Sequence, residues 1–264
     1  MLVILSQSAY LEASLQMRYF VISDPHGFYS ILHSTLQEKG FFADSHPHKL
    51  LILGDLMDRG KQALQMQDFI LDLLIRDEII LIRGNHEDLF EEFLLDDEGC
   101  PDVYSIQNGT YDTALQLTGF SKRKVKIHRR VFVQKALETP FYQIILPAMR
   151  DYYETEHYIF VHGWIPCVFE GRTCCYSDNW RDADTNEWHD ARWVNGMVAA
   201  QTATCEKTVV CGHWSASYGH SKIEGRCTEF GPDADFSPYY GKNVIGIDAC
   251  TGYSGTINCL IIDD

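Results

Sequence analysis

Side chains able to hold a metal ion recur at five places in this chain, each beside a glycine and each just after a short apolar run. Asp24-Pro25-His26-Gly27 follows Arg18–Ser23, and Gly54-Asp55-Leu56-Met57-Asp58-Arg59-Gly60 follows Leu50–Leu53. Gly84-Asn85-His86-Glu87 follows Ile79–Ile82, His162-Gly163 follows Tyr158–Val161, and Gly212-His213 follows Thr208–Cys211. Singly, each has an ordinary reading. Asp24 suits a helix N-cap and Asp58 a turn, while glycine relieves tight backbone and a lone histidine is usually a hydrogen-bonded structural residue. Together, five such clusters at five predicted strand ends point to one crevice, because ligands of open α/β sheets bind beyond the carboxyl ends of the strands. Carboxylate and amide oxygens mixed with imidazoles suit Mn, Fe, Zn or Co rather than a thiolate zinc site. Two such ions about 3.5–4 Å apart can clamp the attacking and leaving oxygens of an in-line displacement. One carboxylate must then bridge them, and one water must lose a proton to become the nucleophile.

The elements that must position these residues alternate strand and helix. Arg18–Ser23, Lys49–Leu53 and Ile79–Ile82 read as buried strands. Phe28–Lys39, with Ile31, Leu32 and Leu36, reads as a helix, as does Gln62–Ile75, with Leu64, Met66, Phe69, Ile70, Leu73 and Leu74. That spacing predicts βαβ units and a mainly parallel sheet. The stretch from Asp88 to Glu156 is helical and polar, with Asp96-Asp97-Glu98 and a basic Lys122–Arg130, and reads as a helical insertion or cap on the same domain. Strands return at Tyr158–Val161, Thr208–Cys211, Val244–Ile247 and Ile257–Ile262. No Pro/Gly/Ser-rich linker separates the halves, so one domain over 17–264 is expected. Met17 directly precedes the first strand, and residues 1–16 read either as an extension of that domain or as a short helix packed on its surface.

Composition narrows the classes of function. At 264 residues and 45% hydrophobic the chain can bury a substantial core. No apolar run approaches the ~20 residues that span a bilayer, and Met1–Leu5 is too short and unflanked by basic residues for a signal peptide. Nine cysteines, an odd number without a Cys-x-x-Cys pair, fit reduced thiols and a cytoplasmic location. A net charge of −15 excludes a general nucleic-acid surface. It leaves room for a phosphorylated substrate, since bound divalent cations can make one cleft positive.

The motifs Asp-x-His-Gly (24–27), Gly-Asp-x-x-Asp-Arg-Gly (54–60) and Arg-Gly-Asn-His-Glu (83–87), with two later histidines, resemble those of a known family. It is the phosphoprotein phosphatase (serine/threonine phosphatase-like) branch of the calcineurin-like metallophosphoesterases. The resemblance runs from about residue 18 to the end, and Asn108-Gly109-Thr110-Tyr111-Asp112-Thr113 is similar to the Asn-Gly-Gly-x-x-Thr stretch of small bacterial and phage members. It implies an α/β sandwich, central β-sheets flanked by helices, with a helical insertion at about 88–156. It implies two divalent metal ions, Mn first, with Fe, Zn or Co also fitting. Asp24 and His26 would hold one ion, Asp55 would bridge, and Asn85, His162 and His213 would complete the second site. Arg59 would clamp the phosphate, where a guanidinium suits two oxygens at once. His86 would protonate the leaving alkoxide, oriented by Asp58. Two departures stand out. Many bacterial members carry Trp-x-Arg, whose arginine contacts phosphate; here the segment is Trp193-Val194-Asn195, and Arg192 and Arg181 are the candidates to replace it. Tyr253-Ser254-Gly255 is similar to the Tyr-Cys-Gly of eukaryotic members, which implies that Tyr253 lines the cleft. Asp248 would support a metal-binding histidine or cap a turn.

The expected function is therefore hydrolysis of phosphate monoesters, on phosphoserine/threonine proteins or small phosphoesters, by a water activated between two metals. The alternative within this motif set is a diadenosine tetraphosphate hydrolase. A non-catalytic binding protein on the same fold is a further reading, which the retention of all six ligands, Arg59 and His86 disfavours.

Overall fold

The computed structural model describes residues 16–95, 101–171, 173–175, 179–203 and 205–264. The expected N-terminal extension therefore lies, apart from Gln16, outside the described residues. Two sheets are stacked face to face. The first has the order β11 (Leu260–Asp263), β1 (Arg18–Ile22), β2 (His48–Leu53), β3 (Ile79–Ile82), with β1, β2 and β3 parallel and β11 antiparallel on β1. The second has the order β4 (Tyr153–Glu154), β5 (Tyr158–Phe160), β8 (Thr208–Cys211), β10 (Val244–Gly246), β9 (Tyr239–Gly241). Its three central strands are parallel and its edge strands β4 and β9 antiparallel. A hairpin, β6 (Val168–Glu170) and β7 (Thr173–Cys175), stands apart from both.

The strands are apolar at almost every position because both faces of each sheet are covered. Alternate residues go to opposite faces. Tyr19, Val21, Leu51, Leu53, Ile80 and Ile82 turn inward to meet Phe160, Val210 and Ile247 of the second sheet. Phe20, Ile22, Leu50, Ile52, Ile79 and Leu81 turn outward and are covered by helices. Helix Tyr29–Glu38 buries Leu32 and Leu36, and helix Ala63–Ile75 buries Ala63, Met66, Ile70 and Leu73, the one-face spacing of an amphipathic helix. The outer face of the second sheet is covered by another cluster, including Trp164, Trp188 and Met197, contributed partly by helices Thr185–Arg192 and Gly196–Ala199.

Within the segment expected to be helical, 88–156, the described residues up to 148 are mainly helices packed on the first sheet, and Tyr153–Glu154 is a strand. Helices Asn85–Leu95, Thr110–Thr118 and Arg129–Leu137 send Phe90, Phe93, Tyr111, Leu115 and Phe132 into the same core as Leu50 and Ile52. Phe90 meets Phe141 edge-on with centroids 5.2 Å apart. The cysteines among the described residues are all free thiols, and no helix there is long and apolar enough to cross a membrane.

Phe160 is fully buried between the sheets. Truncating it to alanine removes a ring from a gap that neither sheet can close alone. Phe160→Ala is expected to lower unfolding stability by about 3–5 kcal/mol in urea titrations, near the range for such truncations.

Candidate active site

The strand-end loops are laced together by their own backbone. His26 N donates to Asp55 O (2.9 Å), Gly27 N to Leu56 O (2.8 Å) and Gly60 N to His26 O (2.8 Å), so the first two loops form one unit. Two further bonds cross from sheet to sheet. His213 N donates to both oxygens of Asp24 (3.2 and 3.1 Å), and His162 Nδ1 donates to Leu53 O (2.7 Å). The residues brought together this way carry unusual backbone. Asp24, His26, Asp55, Asp58, Arg59 and His213 all have positive φ, between 45° and 72°. They make up six of the nine non-glycine residues in that region among the described residues. Such conformations each cost of order 1–3 kcal/mol and cluster where surrounding structure holds them for function. Gly84 shows how tight the fit is: a Cβ there would stand 2.2 Å from Asp55 Oδ1 and 2.5 Å from Asp55 N.

Asp55 sits at the centre. Its Oδ2 lies 3.6 Å from His26 Nε2 and 3.9 Å from His86 Nε2, while Oδ1 lies 3.4 Å from His162 Nε2. One carboxylate thus belongs to two donor groups, His26–Asp55–His86 and Asp55–His162–His213. Asn85 Oδ1 joins the second, 2.9 Å from His162 Nε2. Each imidazole is aimed by its far nitrogen: His26 Nδ1 donates to Met57 O at 3.0 Å, His162 Nδ1 to Leu53 O. This leaves Nε2 of His26 and His162 with its lone pair toward the centre, the usual arrangement of a metal-binding histidine. The His213 ring is flanked edge-on by the Trp193 ring, with centroids 5.7 Å apart.

Electrostatics favour a cation here. Burial, then Asp248 and Asp55, push the Asp24 carboxyl well above its ordinary range, and burial lifts Asp248 to about 6. Burial would lift Asp55 too, but the facing His162, His86 and His26 hold it well below the usual carboxylate range. Burial keeps His26 and His162 neutral and pushes His213 down to about 3. Among the described residues no lysine or arginine forms an ion pair with Asp24, Asp55 or Asp248. Buried carboxylates facing neutral imidazoles are a donor set for divalent ions of the Mn, Fe, Co and Zn type.

His86 belongs to a second device. Its Nδ1 donates to Asp58 Oδ2 at 2.7 Å, and its Nε2 lies 3.2 Å from Nη2 of the exposed Arg59. Burial pushes the imidazole down, but Asp55 and Asp58 outweigh it and the net shift is upward. Asp58 is itself clamped: Thr110 Oγ1 donates to Oδ2 (2.9 Å), Thr113 Oγ1 to Oδ1 (2.6 Å), and Thr113 Oγ1 accepts from Asp58 N (2.9 Å).

Several functional residues lay beyond sequence reasoning. Glu87 accepts from the N–H groups of Gly84 (2.8 Å), Asp55 (3.0 Å) and Leu56 (2.9 Å), filling donors that the left-handed turn strands in the interior. It was visible only as the last letter of a motif. Thr110 and Thr113 lay in the recognised 108–113 stretch without an assigned role. Asp248 caps a turn through Cys250 N at 2.6 Å.

The expectation that Arg192 replaces the missing phosphate contact needs correction. Its guanidinium is buried and committed, donating to Asp88 Oδ2 at 2.8 Å and Asp151 Oδ1 at 2.5 Å. Arg181 is likewise paired, to Glu154, and lies over the Trp180 ring. Tyr253 stands half-exposed on the turn after Cys250, its hydroxyl accepting from Gly231 N at 2.9 Å and its ring beside Phe230 and Phe236.

The profile of the calcineurin-like phosphoesterases matches residues 17–245. The chain belongs to that family. That family uses divalent metals, and the described residues hold candidate groups for them around Asp55. It is similar to the bis(5'-nucleosyl)-tetraphosphatase PrpE (asymmetrical) of Anoxybacillus flavithermus, at 33% identity over 85 residues, 30% of this chain and 35% of that one. The PrpE of Bacillus cereus is 26% identical over 136 residues, 49% of this chain and 53% of that one. The chain thus spans about half the length, or less, of these curated relatives. Among solved structures, a cold-active protein tyrosine phosphatase shares the fold, with a TM-score of 0.52 and 17% identity over 93% of this chain and 73% of that one.

The crowding at Gly84 yields a test within this calcineurin-like phosphoesterase. Gly84→Ala is expected to displace Asp55 and reduce divalent-ion binding at least tenfold by calorimetric titration. Unchanged binding would show that the loop can yield.

Proposed function

We propose that this chain hydrolyses phosphate monoesters with two divalent cations as cofactors. The observation that carries the reading is the Asp55 carboxylate, whose two oxygens face two separate imidazole groups. Asp24, His26 and Asp55 would hold one cation, and Asp55, Asn85, His162 and His213 the other. When bound, such ions supply positive charge that makes water more acidic and neutralises phosphate oxygens.

The chain's own residues supply the remainder. Arg59, with an exposed guanidinium, binds phosphate oxygens as a fork. In its resting position its Nη2 lies 3.2 Å from His86 Nε2. With that guanidinium drawn to a phosphate, Nε2 holds a proton taken from solvent, while Asp58 fixes the opposite nitrogen and stabilises the charged ring. His86 then gives its proton to the leaving oxygen. Asn85 and Tyr253 would line the substrate's approach.

A second reading has specific support: the curated relatives are named as bis(5'-nucleosyl)-tetraphosphatases. The product separates the two. Free phosphate from a phosphothreonine peptide supports the monoesterase, whereas diadenosine tetraphosphate cleaved in preference supports the nucleotide hydrolase. Both activities should vanish on chelation and return with Mn²⁺.

Two substitutions test the assigned roles. Asp55→Asn is expected to abolish turnover and weaken metal binding, and near-normal kcat would refute its bridging role. His86→Asn is expected to slow alkyl phosphates by about 10²–10⁴, the usual range for a lost proton donor, and p-nitrophenyl phosphate far less. An equal loss on both would rule out the acid role.

A further inference from the structure

Five tryptophans are present, and three are core residues: Trp164, Trp180 and Trp188 are 2%, 4% and 3% exposed. The other two, Trp193 and Trp214, are 38% and 39% exposed. Both touch the same side chain of the site. The Trp193 ring stands edge-on to the His213 ring at 5.7 Å and 86°, and the Trp214 ring at 6.2 Å and 78°.

Each indole is held in place. Trp193 is anchored by its backbone N–H, which donates to Asp190 O at 3.1 Å, and stands against the histidine it flanks. Trp214 follows His213 directly and is backed by Tyr218 at 5.3 Å. Leaving two large apolar rings half in water gives up burial free energy, and half-wet aromatics beside convergent polar groups mark a ligand site. The charge pattern agrees. Next to Trp193 the Arg192 guanidinium is spent on Asp88 and Asp151, and Asn195 caps helix Gly196–Ala199 by accepting from Val198 N. Beside His213, then, the structure presents two half-exposed indole rings.

We propose that Trp193 and Trp214 form a stacking subsite for a planar aromatic group carried on the substrate phosphate, either a nucleobase or a phenol ring. The proposal rests on the phosphoesterase reading of the site above. Aromatic platforms accept any flat π-face, so the shared chemistry is the ring, and its attachment distinguishes the sources.

The test uses the full chain with Mn²⁺ and four probes: AMP and phosphotyrosine, which carry rings, and ribose 5-phosphate and phosphoserine, which do not. In Trp193→Ala and Trp214→Ala, the KM ratio of ring-bearing to ring-free substrate is expected to rise about tenfold, with Trp→Phe at either position restoring most of the selectivity. An effect confined to AMP assigns the subsite to nucleobases, and one confined to phosphotyrosine assigns it to phenols. A rise that is equal for all four probes overturns the proposal. Tryptophan fluorescence provides a readout independent of turnover. AMP should quench it more than ribose 5-phosphate does, and the difference should disappear in the doubly substituted protein. Equal quenching by both would also overturn the proposal. Turnover of none of the probes would sink the phosphoesterase reading while the quenching still reports on the rings.

Discussion

The architecture of the strand ends turns on keeping one ionised carboxylate, Asp55, out of water. Burying an isolated charge is so costly that the group normally takes up a proton or finds a partner. Asp55 accepts a hydrogen bond from His86 N at 3.0 Å and faces imidazoles from both sheets. Asp24 and Asp248 are buried close by, and burial together with the charge of Asp55 pushes both carboxyls upward. The arrangement is stable only if the turn bearing Asp55 is rigid, and Glu87 supplies that rigidity by taking three backbone N–H groups at once. On the proposed reading, divalent cations complete it.

This constraint also explains why two sheets are needed. Asp24, His26, Asp55 and Asn85 come from the first sheet, and His162 and His213 from the second. Interatomic distances at the site are therefore fixed by the packing of Val21, Leu51 and Leu53 against Phe160 and Val210. The Asp24–His213 and His162–Leu53 bonds pin the sheets together at the point of use. The helical segment plays a similar part for the His86–Asp58 pair. Thr110 and Thr113 can reach Asp58 only because helix Thr110–Thr118 packs on the sheet through Tyr111, Ala114 and Leu115.

The sequence carried the parallel core and the ligand clusters legibly, because both follow local rules. The strands β1, β2, β3, β5, β8 and β10 are short apolar runs, and the chemistry begins where each ends. The edge strands β4 and β9 and the hairpin β6–β7 were not legible. Edge strands bury little, so their burial pattern is weak: Tyr153 and Glu154 are both only partly buried. Arg192 was misjudged for a related reason. An arginine's distance from a motif says nothing of which carboxylates will claim it, and Asp88 and Asp151 are 104 and 41 residues away in the chain. Thr113 had the right spacing but no visible partner, since its contact with Asp58 spans 55 residues.

The loss of Arg192 as a clamp changes how a phosphate can be held on a protein of net charge −15. Long-range forces oppose the approach of a dianion, although salt screens them beyond about 10 Å. One exposed arginine, Arg59, does not reverse that field by itself. On the proposed reading, attraction must come mainly from cations seated among Asp24, Asp55 and the imidazoles, so the site gains its affinity for phosphate only when charged with metal. Discrimination between substrates then falls to contacts beyond the phosphate. A second arginine would grip every phosphoester alike, since it recognises only the group they share. On the proposed reading, the two half-exposed indoles beside His213 move selectivity onto the part of the substrate that differs.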